Sequence, residues 1–151
     1  MDDLDTLLQS ARTHAESSPA LQQLVSVVDA SRYLREKHFA SWCRSARREL
    51  PRNPLVWLRI IFRAGEFPAR TVFRIVWRRH RFREAVNQRT VASILEREAA
   101  YFDQVEKQPL TLAQREACAV DEAANLVIAG AGTGKTSTIV AKIGLLVHDF
   151  L

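Results

Sequence analysis

Residues 125–136 read NLVIAGAGTGKT, and this stretch decides the fold. Leu126, Val127, Ile128 and Ala129 form a short, apolar, partly β-branched run, which predicts a buried parallel strand. The next residues, Ala129, Gly130, Ala131, Gly132, Thr133, Gly134, Lys135 and Thr136, have the spacing of a phosphate-binding P-loop with alanine at its first glycine position. Glycines let the backbone curl so that successive N–H groups can face phosphate oxygens. A side chain at Gly132 or Gly134 would obstruct the nucleotide or force strained dihedrals. Lys135 is placed to reach the β- and γ-phosphates, and the Thr136 hydroxyl to ligate Mg²⁺. A helix beginning near Lys135 would aim its positive end at the same phosphates. Downstream, Ile139, Val140, Ile143, Leu146, Val147 and Phe150 recur with helical period, so the loop is expected to join a strand to a helix. A glycine-rich turn that arose fortuitously is the competing reading.

Just upstream lies Leu110-Thr111-Leu112-Ala113-Gln114. One reading is a capping box, with Thr111 capping a helix and Gln114 reaching back from three residues on. The other is an adenine sensor, because a glutamine amide can pair with the N6 and N7 of adenine. One amide cannot fully serve both.

LTLAQREACAV at 110–120, a short gap, then NLVIAGAGTGKTSTIVAKIGLLV at 125–147 resembles the opening of superfamily 1 DNA helicases of the UvrD/Rep type. The preceding REAVNQRTVASILEREAAYFDQVEKQPL at 83–110 is similar to the segment that leads into the ATPase core in the helicase IV branch of that family. The resemblance implies an ATP-dependent helicase that translocates 3′-to-5′ on single-stranded DNA. It favours adenine contact by Gln114 and makes Lys135 and Thr136 the catalytic pair. The implied cofactors are ATP and Mg²⁺. The implied partners are DNA, single-stranded or with single-stranded tails, and proteins of the repair or transcription machinery. Ser137 completes the candidate loop; UvrD and Rep proper carry arginine there, so the departure favours the helicase IV branch and leaves a nucleotide contact at 137 without support from the pattern. The family's acidic Mg²⁺ motif, arginine fingers and second RecA-like lobe would fall beyond residue 151. The expected fold is therefore mainly α: a helical accessory region over 1–108, then the incomplete first strand–P-loop–helix unit of an α/β RecA-like domain over 109–151. A chain of this extent is expected to be inactive alone.

Composition agrees with a folded protein. Of 151 residues, 47% are hydrophobic and 26% charged. The longest uncharged stretches, 17–28 and 123–134, have 12 residues each, whereas a membrane-spanning helix needs about 20. Cys43 and Cys118 lie far apart, and the four histidines are scattered. A disulfide scaffold or protein-ligated metal is thus disfavoured, and a reducing, cytoplasmic setting is expected.

Before the loop, Gly65 stands alone among helix-forming sequence, and residues 1–108 read as mostly helical. Ser18 followed by Pro19 marks a helix start, and Leu21, Leu24, Val25 and Val28 follow at helical spacing. A short helix carrying Trp57 is expected over 55–62. Residues 69–107 contain neither glycine nor proline and could form one rod. The net charge of +5 is uneven: residues 52–89 hold ten arginines against Glu66 and Glu84. Arg70, Arg74, Arg78 and Arg81 should form one helical stripe, either a solvated face or a phosphate track. This block supports the alternative function, a non-enzymatic helical module that binds nucleic acid or RNA polymerase and carries a vestigial P-loop.

Overall fold

The computed structural model describes residues 4–53, 55–56, 67–130 and 132–148. Most of the helix expected over 55–62, together with Trp57, Gly65, Ala131 and Phe150, lies outside them. The described residues are mainly helical and divide into two compact units, residues 1–87 and 88–151.

The first unit contains α1 (Leu4–Thr13), α2 (Pro19–Asp29), α3 (Glu36–Ala46) and α4 (Pro68–Trp77), with single 3-10 turns at Ala15–Ser17 and Arg47–Glu49. Helix α5 (Arg79–Arg97) begins in this unit and contains the division. Helix α2 starts where the sequence predicts. The Ser18 hydroxyl accepts from Leu21 N–H at 3.2 Å, and Pro19 takes the first turn, where its missing N–H costs nothing. It ends at Ala30, and Ser31 adopts φ 51.

Leu7, Leu8, Leu21, Leu24, Phe39, Trp42, Cys43, Val72, Ile75 and Phe82 form the core of this unit. Burying each large apolar side chain contributes about 1.5–3 kcal/mol. Phe39 stacks on Trp42 with ring centroids 5.4 Å apart and on Phe82 at 6.0 Å. Polar groups inside are paired. Trp42 Nε1 donates to Ala20 O at 2.8 Å, and the Ser10 and Thr71 hydroxyls meet at 2.8 Å. Asn87 accepts from Leu34 N–H at 2.7 Å and donates to Leu34 O at 3.2 Å.

The stretch 69–107 is not one rod. It breaks at Arg78 (φ −100, ψ 26) and again at Glu98 (φ −99, ψ 17), where α6 (Ala99–Gln104) begins. A straight helix touches a compact core over only a few turns, and a break lets the chain turn and continue burying its apolar face. The expected arginine stripe is broken with it: Arg70 and Arg74 lie on α4, Arg78 caps it, and Arg81 lies on α5. Arg83 turns inward, donating to Leu34 O at 2.8 Å and pairing with Glu36 at 3.2 Å.

The second unit continues with α6, α7 (Leu112–Ala119) and α8 (Lys135–His148), the last two packed together. Phe102, Leu110, Cys118, Ala141 and Leu145 form its core. The strand expected over 126–129 is not formed, and no strand occurs among the described residues. A strand exists only in a ladder with a partner, and here Leu126 and Ile128 are 84% and 88% exposed.

Candidate nucleotide-binding site

Three pieces of the second unit converge: the start of α7, the glycine-rich loop and the start of α8. Thr111 caps α7 as a full capping box. Its hydroxyl accepts from Gln114 N–H at 3.4 Å, and Gln114 Oε1 accepts from Thr111 N–H at 2.8 Å. The Thr111 hydroxyl also approaches the same oxygen at 3.1 Å. Gln114 Nε2 turns the other way and donates to Thr133 O at 3.2 Å, across 19 residues of chain. The capping box is thus formed through the amide oxygen, and the amide nitrogen is held on the loop.

The loop's conformation depends on glycine at two positions. Gly132 has φ 73 and Gly134 φ 81, a region L side chains rarely adopt. The two differ in surroundings. A Cβ on Gly132 would meet nothing within 4 Å, whereas one on Gly134 would overlap Gln114 Nε2. The Thr133 hydroxyl donates to Gly130 O at 2.8 Å and tightens the turn.

Lys135 opens α8, and its ammonium folds back on the loop, donating to Ala129 O at 2.9 Å and Gly130 O at 2.5 Å. The first i→i−4 bond of the helix runs from Thr138 N–H to Gly134 O at 3.0 Å. The N–H groups of Lys135, Thr136 and Ser137 therefore precede the intrahelical ladder, at the positive end of the helix. Thr136 is exposed and Ser137 half-buried. This donor set fits a phosphate group: a cation on a flexible stem, backbone N–H groups at a helix start, and a loop curled by two glycines at positive φ.

Residues that the sequence reading passed over hold these pieces together. Lys142 Nζ donates to Cys118 O at 3.0 Å and Val120 O at 2.5 Å, joining α8 to the C-terminal end of α7. Tyr101 Oη donates to Ala141 O at 2.9 Å, and a Cβ on Gly144 would overlap that hydroxyl. An isolated glycine inside an apolar helix was the available signal for such a close approach. Burial pushes the Cys118 thiol upward, against a smaller opposing effect of the Lys142 charge. Among the described residues, no cluster of three or more His, Cys, Asp or Glu could hold a metal ion, and no helix is long and apolar enough to cross a membrane.

Residues 110–149 match the family profile of the UvrD/REP helicase N-terminal domain. The match spans α7, the glycine-rich loop and α8, and it bears out the resemblance carried by the glutamine and lysine motifs. Within that class, the chain is similar to DNA helicase IV of Escherichia coli (strain K12), with 47% identity over 60 residues. That stretch covers 40% of this chain and 9% of the helicase. No solved structure matches the chain significantly.

Proposed function

We propose that this chain carries the ATP-binding segment of a DNA helicase that couples ATP hydrolysis to 3′-to-5′ movement on single-stranded DNA. The observation that supports it most is the bond from Gln114 Nε2 to Thr133 O, which brings the glutamine motif onto the glycine-rich loop within the stretch that matches the helicase family. ATP with Mg²⁺, when bound, supplies the phosphoryl group whose hydrolysis drives movement.

Residues Ala129, Gly130, Ala131, Gly132, Thr133 and Gly134 form the cradle, of which Ala131 lies outside the described residues. Lys135 gives up its two loop carbonyls and turns its charge toward the phosphates. Thr136 offers its hydroxyl to Mg²⁺, and Ser137 contributes the N–H of the third helical position. Gln114 keeps one N–H on Thr133 O and offers the other to adenine N7. The exposed apolar residues Leu126, Ile128, Ile139, Val140 and Ile143 are the surface a RecA-like sheet would cover.

Replacing Lys135 tests the proposal. In the complete protein, Lys135→Ala removes the cation that stabilises the transferring group, and single-turnover ATP hydrolysis should fall by at least about 100-fold. A near-normal rate would overturn the assignment.

A further inference from the structure

The first unit carries a feature that the nucleotide site does not use. From Phe67 to Arg83 the sequence holds Arg70, Arg74, Arg78, Arg79, Arg81 and Arg83 and no acidic residue. Folding adds Arg47 from the 3-10 turn that packs against α4. The result is a cavity of about 480 Å³ whose lining includes Arg47, Leu50, Phe73, Trp77, Arg79 and His80. Phe73 and Trp77, one turn apart on α4, stack with centroids 5.7 Å apart and 26° between their planes. Trp77 is nevertheless 76% exposed. The acid of the turn, Glu49, is engaged elsewhere: its carboxylate accepts from the Ser18 hydroxyl at 2.5 Å and from Ala20 N–H at 2.8 Å.

We propose that this face of the first unit binds single-stranded DNA, with bases stacking on the Trp77–Phe73 platform and phosphates paired with Arg47 and Arg79. A solvated helix face needs the arginines but gains nothing from an exposed indole, which water solvates poorly. An acidic protein surface would satisfy the arginines and leave the ring planes unused. Bases joined by phosphates use both, and stacking plus a cationic groove is the general means of holding a single strand without sequence preference. The choice of DNA over RNA rests on the helicase reading above; the stacking and charge argument does not.

The test is fluorescence anisotropy with labelled oligo-thymidylate in the absence of nucleotide, so that failure of the ATP-binding assignment leaves this readout unaffected. Trp77→Ala, at an exposed position and checked for native circular dichroism, should bind about tenfold more weakly. The Arg47→Gln/Arg79→Gln variant should lower the log–log salt slope by about 1.4, because each phosphate neutralised on a single strand contributes about 0.7. An abasic oligomer of equal length should lose the Trp77-dependent part, and an oligo-uridylate should bind no better than the DNA. Photo-crosslinking of an iodouracil-substituted oligomer should label the peptide that contains Phe73 and Trp77. Unchanged binding by Trp77→Ala, or no label on that peptide in the wild-type protein, would overturn the proposal. So would equal binding of the abasic strand, stronger binding of RNA, or a Trp77→Ala protein that loses self-association in sedimentation but binds the oligomer normally.

Discussion

Substituting alanine for each of the two left-handed glycines should separate backbone strain from steric overlap. At Gly132, φ is 73 and a Cβ meets nothing within 4 Å. The cost is then the left-handed conformation alone, about 1–2 kcal/mol. At Gly134, φ is 81 and the new Cβ overlaps Gln114 Nε2. The amide must move, and its bond to Thr133 O, 3.2 Å long, breaks. A lost hydrogen bond adds about 0.5–1.5 kcal/mol, so Gly134→Ala should cost about 1.5–3.5 kcal/mol. Confined to the loop, this weakens binding of a fluorescent ATP analogue by about tenfold for Gly132→Ala and by about 10–300-fold for Gly134→Ala, since 1.4 kcal/mol is about tenfold. Titration by anisotropy measures both, and circular dichroism confirms that each variant is folded. A double-mutant cycle sharpens the test. In a Gln114→Ala background the overlap is gone, and the two alanine substitutions should cost nearly the same. Equal losses in the wild-type background, or no coupling between positions 114 and 134, would refute the reasoning.

Asn87→Leu removes both partners that Asn87 gives the buried Leu34 backbone, and the urea midpoint should report a loss of about 1–3 kcal/mol; a change under about 0.5 kcal/mol would count against the pairing. Burial pushes the Cys43 and Cys118 thiols above their ordinary value of 9.0. A raised folded-state value means that stability is full below about pH 9 and declines as pH rises through the folded values, so urea unfolding should show a lower midpoint at alkaline pH, and Cys43→Ala/Cys118→Ala should flatten that decline. Gln114→Glu keeps an oxygen for the Thr111 cap but loses the nitrogen that donates to Thr133 O; helix content should hold while affinity for a fluorescent ATP analogue falls by about 2–10-fold, the worth of one hydrogen bond, and unchanged affinity would confine the amide's role to the cap.

Features encoded by a few adjacent residues were legible in the sequence. Ser18-Pro19 and Thr111–Gln114 start helices because a side-chain oxygen and the N–H groups it satisfies lie within one turn of chain. The candidate loop was legible for the same reason, since its glycines, lysine and threonine are contiguous. The breaks at Arg78 and Glu98 were not. Val72, Ile75, Val76, Phe82 and Val86 keep helical spacing across Arg78, so periodicity carries no record of the turn. The ties made by Lys142 and Tyr101 span 22 and 40 residues, and only folding creates them. That Arg47 and Trp77 line one cavity has the same origin.

The run 126–129 shows how sequence pattern and conformation come apart. An apolar, β-branched segment states a need for burial, not a backbone geometry. Burial and geometry come together in a sheet because the ladder that fixes the dihedrals also brings the covering layers. Without that ladder, Leu126 and Ile128 remain exposed, and the loop after them is shaped by other means: two glycines at positive φ, the Thr133 hydroxyl on Gly130 O, and Lys135 on the carbonyls of Ala129 and Gly130. Gln114 adds an anchor from outside the loop. Its oxygen is fixed by the start of α7, so its nitrogen reaches Thr133 O from a rigid base. The residue that would read the base is thereby coupled to the loop that would hold the phosphates, and both act from one end of the packed pair α7 and α8.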